Sequence, residues 1–285
     1  MIAVWGGLSA ALLWGIGILC SARASRLLPT ASVVAWVLVV GLVADSIAIT
    51  LTRTPAPSGL ATWLELAAAG VCSVTGLGLL VAGLRFGKVG IVAAITSTEG
   101  AFAALLAVAG GERLPAAAGV LLVVVVIGVL VATFSRDASE VIANRPLLAA
   151  SLATAAAVAS AGAIFLVGKL THSAALLWVI LPPRVVGTLG VLLPLLLTGK
   201  LRISRRALPL LMVAGVAEIS GYLCYAVGAR HSVAISAVLA AMFSVVTVVG
   251  AYLLHGERLT RHQLFGVGVI VAGVAGLTAL VSTGG

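Results

Sequence analysis

Three ionisable side chains lie near the middle of long apolar segments in this 285-residue chain, namely Glu99, Arg184 and Glu218. An unpaired charge at the centre of a lipid bilayer costs from about 3 to more than 10 kcal/mol. Each of these side chains is therefore predicted to face a polar cavity or a partner of opposite charge. They are the first candidates for residues that carry chemistry.

Arg184 directly follows two prolines, Pro182 and Pro183, halfway along the seventh apolar segment. Proline has no backbone N–H, so carbonyls one turn earlier lose their hydrogen-bond donors and can line a polar cavity. A guanidinium beside such a break suits an anionic group, for example the carboxylate of a solute. We predict that Arg184 binds substrate and that the two prolines form a hinge. The alternative is an arginine held in a structural ion pair.

Glu99 and Glu218 compete for one positive charge, because Arg184 can neutralise only one of them. Both glutamates are candidates for coupling transport to protons. We predict that Glu218 pairs with Arg184 and that Glu99 takes up and releases the proton. The alternative is that Glu99 only makes a hydrogen bond between helices.

Aromatic residues are predicted to complete the substrate-binding surface. Tyr222 and Tyr225 follow Glu218 by four and seven positions, which places the three residues along one face of a helix. Trp14 and Trp178 also fall inside apolar segments and could contact a cationic or aromatic solute through their ring faces. Packing is the alternative for these aromatic residues.

Four other acidic residues are predicted to have structural roles. Asp45 and Glu65 lie near the ends of the second and third segments, where contact with water is expected. Glu112 and Glu257 stand near the starts of the fifth and tenth segments, where a carboxylate favours the positive end of its own helix dipole.

The sequence contains no recognisable catalytic or metal-binding motif. The four histidines fall at or near loops, and the three cysteines have no metal-ligand spacing. Spacing typical of zinc peptidases, serine hydrolases or phosphate-binding loops is missing as well. We therefore predict no enzymatic activity, no metal and no cofactor.

The elements that must position these residues are membrane helices. Hydrophobic residues make up 62% of the chain, charged residues 9%, and the mean hydropathy is +1.26. The net charge of +9 resides almost entirely in short gaps between apolar segments, which indicates membrane orientation rather than binding to nucleic acid. Continuous apolar runs of about 20 residues predict an all-α polytopic membrane protein of ten transmembrane helices, at 2–21, 30–51, 60–84, 89–109, 115–134, 146–167, 173–197, 207–229, 232–254 and 261–281.

The second half of the sequence repeats the first at a shift of 145 positions. Gly-Glu-Arg-Leu occurs at 111–114 and again at 256–259, and Arg85 and Arg230 fall in the same frame. Five helices per repeat is an odd number, so the second repeat must enter the membrane from the opposite side. We therefore predict two inverted repeats, helices 1–5 in residues 1–137 and helices 6–10 in residues 138–285.

Lysine and arginine divide unequally between the two sets of loops. One set holds twelve of them and the other set, which includes both termini, holds four: Arg53, Arg113, Lys169 and Arg230. The positive-inside rule then places both chain ends outside the cell. The predicted location is the cell inner (plasma) membrane, where the chain spans the lipid bilayer many times.

Two long stretches of the sequence resemble the EamA domain of the drug/metabolite transporter superfamily. The first runs from Leu84 to Leu106 and continues to the Gly-Glu-Arg-Leu motif at 111–114; the second runs from Ala229 to Val249 and continues to the same motif and a glycine-rich helix. Trp14-Gly15 is similar to an early Trp-Gly of the family. The resemblance covers both halves of the chain.

The resemblance implies a carrier with a central cavity that exports a small metabolite or drug in exchange for protons. The solute would be amino-acid-like, or hydrophobic or cationic, and the carrier a monomer or weak homodimer. Alternatives are a gradient-driven facilitator, a lipid flippase and a membrane subunit without transport activity.

Two features depart from the family pattern. Relatives usually have proline in the fourth and ninth helices, where this chain has Gly100 and, near the equivalent place, Ser244 or Val245. Family members are generally drawn with both chain ends in the cytoplasm, whereas the loop charge places them outside. The sequence leaves this orientation, the substrate, the direction of transport and the coupling ion open.

Overall fold

The computed structural model describes residues 1–86, 92, 95–133, 145–255 and 261–283, and these residues form helices and short connections. Six of the helices they contain are long and apolar enough to cross a membrane, and the remaining apolar helices are shorter. The prediction of an all-helical, multi-pass membrane protein is confirmed. The helices are α1 (Ile2–Ala24), α2 (Thr30–Thr52), α3 (Leu60–Phe86), α4 (Glu99–Ala109), α5 (Ala116–Thr133), α6 (Pro146–Leu170), α7 (Leu176–Leu197), α8 (Leu208–Ala229), α9 (Val233–Ala240), α10 (Phe243–His255) and α11 (Arg261–Thr283).

The fourth and ninth apolar segments are interrupted although neither contains proline. A turn at Ser97 and Thr98 precedes α4, and a turn at Ala241 and Met242 separates α9 from α10. The Thr98 hydroxyl donates to the carbonyl of Ile95 at 2.6 Å, so it competes with the backbone amide that would continue the helix. In this chain a threonine hydroxyl is therefore found at the helix break, where relatives are expected to have a proline.

Helices of the first half pack mainly against helices of the second half. In the described residues the most extensive packing joins α1 to α8, α3 to α6, α5 to α11 and α2 to α7, and α4 packs against both α6 and α9. Packing between helices of the same half is much less extensive. The core therefore lies between the two halves rather than inside either one.

The crossing of α1 and α8 is unusually close. A Cβ atom added to Gly6 would lie 2.6 Å from the Cα of Gly228, so the two backbones are in direct contact. Close beside it, Ser236 at the start of the ninth segment donates to the carbonyl of Ala3 at 3.1 Å. Small residues at such a crossing give membrane helices their van der Waals contact, because lipid provides no hydrophobic force between them.

Glu112 caps a helix in the other half of the chain, so the prediction that it caps its own helix is wrong. Its Oε2 accepts hydrogen bonds from the backbone N–H of Val233 at 3.1 Å and of Ala234 at 3.2 Å, and the Ser232 hydroxyl donates to Oε1. The carboxylate therefore meets the positive end of the α9 dipole. Glu257, its counterpart in the second repeat, lies outside the described residues.

Replacing Glu112 with alanine is expected to lower the free energy of unfolding by about 1–2 kcal/mol, because the first amides of α9 lose their acceptor. The matched control is Glu65→Gln. Glu65 pairs with Lys169 at 2.9 Å, but both side chains are well exposed, and such pairs contribute about 0–1 kcal/mol. Denaturation of the purified variants measures both effects. Equal losses for the two variants would contradict the assigned cap.

Candidate functional site

Arg184 and Glu218 form a buried ion pair near the middle of α7 and α8. The Arg184 Nη1 atom lies 2.8 Å from Glu218 Oε2, as the sequence predicted. The Arg184 side chain is 3% exposed, and its guanidinium carbon lies 4.9 Å from the centre of the Tyr222 ring. The glutamate neutralises the guanidinium, and the ring adds a cation–π contact.

A small cavity of about 40 Å³ opens beside this ion pair. It receives side chains from both halves of the chain, and its lining includes Ser73, Arg184, Glu218 and Tyr222. A buried water needs about 10–15 Å³ of such space, so the cavity has room for roughly three waters. A larger molecule would fit here only if the helices around the cavity moved apart.

Asp45 belongs to the same cluster, so the prediction that water solvates it is wrong. Its side chain is 1% exposed, and neither carboxylate oxygen has a hydrogen-bond partner within the described ranges. Asp45 follows Gly41 by one helical turn, and a Cβ atom on Gly41 would lie 3.2 Å from Arg184 Nη1. Its depth along α2 suggested an interfacial residue, but the neighbouring α7 buries it.

Glu99 lies near the cluster but not in the cavity lining. It is the first residue of α4, where a carboxylate suits the positive end of the helix dipole. Its side chain is hydrogen-bonded to Ser160 on α6 and interacts electrostatically with Tyr222. This placement fits the alternative of a hydrogen bond between helices. A role for Glu99 in binding a proton stays a prediction.

Trp14 supports the cavity wall from behind. Its ring centre lies 4.9 Å from that of Tyr222 in an edge-to-face arrangement, and its Nε1 donates to the backbone carbonyl of Glu218 at 3.1 Å. The Tyr222 and Ser73 hydroxyls share a hydrogen bond. Trp14 therefore fixes the position of the two cavity residues on α8, and Ser73 is a cavity residue that the sequence analysis did not single out.

Two other predicted substrate residues lie away from the cavity. Tyr225 is fully buried, and its hydroxyl donates to the carbonyl of Ile164 at 2.8 Å. Trp178 lies in the first turn of α7, donates to the carbonyl of Thr54 at 3.0 Å and stacks edge-to-face on Trp63. Both placements favour packing over contact with a solute.

Helix α7 continues across Pro182 and Pro183 from Leu176 to Leu197. The prolines supply no N–H to the carbonyls of residues 178 and 179, so these two groups lack the usual donor of the helix. The next residue, Ile180, already lines the cavity. The hinge at the prolines stays a prediction.

A helical membrane protein with a buried ion pair inside its bundle has the construction of a polytopic transport protein. The chain belongs to the EamA-like transporter family, whose model matches residues 1–134 and 147–279. The family is part of the drug/metabolite transporter superfamily, so the resemblance drawn from the sequence is confirmed. Members of the family are transporters rather than enzymes.

Comparison with solved structures supports the fold. One crystal structure is similar to this chain with a TM-score of 0.77 at 17% sequence identity, and the match covers 98% of this chain and 96% of the other. At this identity the likeness establishes the shared fold alone. No curated protein matches the sequence significantly.

Proposed function

We propose that the chain is a secondary active transporter of the inner (plasma) membrane. It exports a small metabolite or drug by alternating access, in exchange for protons. The buried pair of Arg184 and Glu218 carries this proposal, because it lines a cavity to which both halves contribute. A charge pair in that position is costly to bury, and ionisable residues inside a membrane bundle usually mark sites of binding or ion coupling. The absence of a predicted nucleotide-binding motif favours an ion gradient as the energy source.

We further propose that residues 1–137 and 138–285 are inverted repeats, each of five helices. The contacts between helices support this, because the most extensive contacts between the halves each have an equivalent when every helix is replaced by its counterpart in the other half. The contact of α1 with α8 corresponds to that of α6 with α3, and α2, α4 and α5 each pack against their own counterparts, α7, α9 and α11. Such symmetry is the usual basis of alternating access, in which one half rocks against the other.

Arg184 and Tyr222 are the proposed contacts of the solute. A guanidinium binds a carboxylate through two parallel hydrogen bonds, and the Tyr222 ring offers an aromatic face beside it. Trp14 acts on the solute indirectly, because it packs behind Tyr222. We expect solutes with a carboxylate, such as amino acids, to bind better than the corresponding amides.

The proposal is tested in proteoliposomes that contain the full chain. Carboxylates, amino acids and lipophilic cations are first screened by thermal shift, and those that stabilise the protein are then measured for uptake with and without a pH gradient. Uptake that follows the gradient supports proton exchange. Counterflow without any response to the gradient supports a facilitator, and no flux of any solute supports a subunit without transport activity.

Glu99→Gln is expected to abolish uptake driven by a pH gradient while solute exchange continues, because the amide cannot carry a proton. Glu65→Gln is the control, since that exposed carboxylate lies at the beginning of α3, away from the cavity. Full gradient-driven uptake by Glu99→Gln would leave Glu99 with the structural role that its bond to Ser160 suggests.

A further inference from the structure

Asp45 is a buried carboxylate to which the proposed transport cycle gives no task. Its side chain is almost fully buried on α2, and both oxygens lack a hydrogen-bond partner among the residues that the structure describes. An ionised carboxylate in such surroundings is strongly disfavoured unless a proton or a cation accompanies it. The site must therefore supply one or the other.

Arg184 is the cation within reach. Gly41, one turn before Asp45 on the same face of α2, lies against the guanidinium, and Asp45 and Arg184 interact electrostatically. The Arg184 Nη1 atom is nevertheless placed 2.8 Å from Glu218 on α8. One guanidinium thus serves two carboxylates that belong to different helices and to different halves of the chain.

Within the part of the chain that the structure describes, the helices packed against α2 provide no second positive charge at this level. The groups that face Asp45 are Arg184 from α7, and Glu218 and Tyr222 from α8 through their contacts with Arg184. The third neighbour, α1, has no acidic or basic residue or histidine between positions 2 and 22. With Glu218 ionised against Arg184, charge balance assigns a proton to Asp45.

We propose that Asp45 is a proton-binding residue of the transport site and that Arg184 exchanges Glu218 for Asp45 when that proton leaves. This proposal rests on the proposed function. It adds Asp45 as a proton-binding residue and the change of partner by Arg184 as the conformational switch. The O–H bond of Asp45 breaks, its electron pair stays on the carboxylate, and the proton passes to water. The guanidinium keeps all its protons throughout.

The exchange has a consequence for the cavity. Glu218 lines the cavity and is 28% exposed, whereas Asp45 is not among its lining residues. When the proton leaves and Arg184 turns to Asp45, the Glu218 carboxylate remains as an unpaired negative charge on the cavity wall. Loss of the proton therefore frees Glu218 for the ammonium group of an amino-acid-like solute, which also carries the carboxylate proposed to bind Arg184. This coupling of proton release to solute binding is the relation that exchange transport requires.

Infrared spectroscopy of isotope-labelled protein tests the switch without a solute. The chain contains two aspartates, Asp45 and Asp137, so ¹³C-aspartate in an Asp137→Asn background reports on Asp45 alone. At neutral pH we expect the labelled carbonyl band of a protonated acid. In the same background, Glu218→Gln frees Arg184 to pair with Asp45, and we expect the protonated band to be lost at that pH.

The control is Glu65→Gln, which removes an exposed carboxylate and should leave the labelled band unchanged. A labelled aspartate that is fully ionised in the Asp137→Asn protein at neutral pH would overturn the assignment of the proton. A protonated band that survives in Glu218→Gln would overturn the exchange of partners. Neither readout uses transport, so a protein without pH-driven flux would refute the proposed antiport while this measurement still decides the role of Asp45.

Discussion

Replacing Arg184 with alanine is expected to lower the free energy of unfolding by about 3–5 kcal/mol and to weaken binding of carboxylate solutes far more than binding of cations. The stability loss follows because the partly buried carboxylate of Glu218 is left without its counter-charge. The binding loss follows because the cavity loses its donor for an anionic group. Thermal unfolding and solute titration of the purified variant measure the two effects.

Arg184→Lys is the matched variant, because it keeps the positive charge and loses the planar fork of donors. We expect it to recover most of the stability and little of the preference for carboxylates. A uniform loss of affinity for anionic and cationic solutes in Arg184→Ala would instead assign Arg184 a structural role. If Arg184→Ala were as stable as the wild type, the buried ion pair of Arg184 and Glu218 would not contribute to stability as described.

Replacing Gly6 with alanine is expected to lower the free energy of unfolding by about 3 kcal/mol, the upper end of the usual cost of overpacking. The added methyl group would lie 2.6 Å from the Cα of Gly228 and 2.7 Å from the carbonyl oxygen of Cys224. These are backbone atoms, so no side-chain rotation can relieve the contact. Helices α1 and α8 would have to separate, and the bond from Trp14 to the Glu218 carbonyl would weaken with them.

Gly78→Ala is the control for this prediction. No atom lies within 4 Å of a Cβ added to Gly78 on α3, so the methyl group projects into open space. Alanine favours a helix over glycine by about 1 kcal/mol, and we expect this variant to be neutral or slightly stabilised. Equal stability of Gly6→Ala and Gly78→Ala in thermal unfolding would show that the α1–α8 crossing is looser than described.

The sequence predicted the helices because apolar runs are local information, and it predicted the central ion pair because few charges fall inside the spans. Apolar runs have the length of a bilayer, and a mid-span arginine needs a carboxylate, of which the spans offer few. The burial of Asp45 could not be predicted in the same way. The sequence shows how far Asp45 lies along α2. It does not show which helix covers that face of α2, because this depends on the packing of α2 against α7.

Glu112 shows the same limit. Its position before a helix predicted a cap, and a cap is what it forms, but the helix belongs to the other half of the chain. The helix interruptions near Thr98 and Met242 could not be predicted from proline, because neither segment contains one. Hydroxyl groups that bond back to the preceding turn are common in membrane helices, so their presence alone does not mark a break.

Because the extensive packing joins one half to the other, the order of synthesis matters for this chain. The bond between Trp14 and Glu218 spans 204 positions, and a ribosome that adds about 5–20 residues per second needs roughly 10–40 s to make them. During that interval α1, the first helix to be made, lies without its partner α8, and the glycine face that crosses α8 is uncovered. Assembly must then be completed late, so truncated chains are expected to be substrates for membrane proteolysis rather than stable half-carriers.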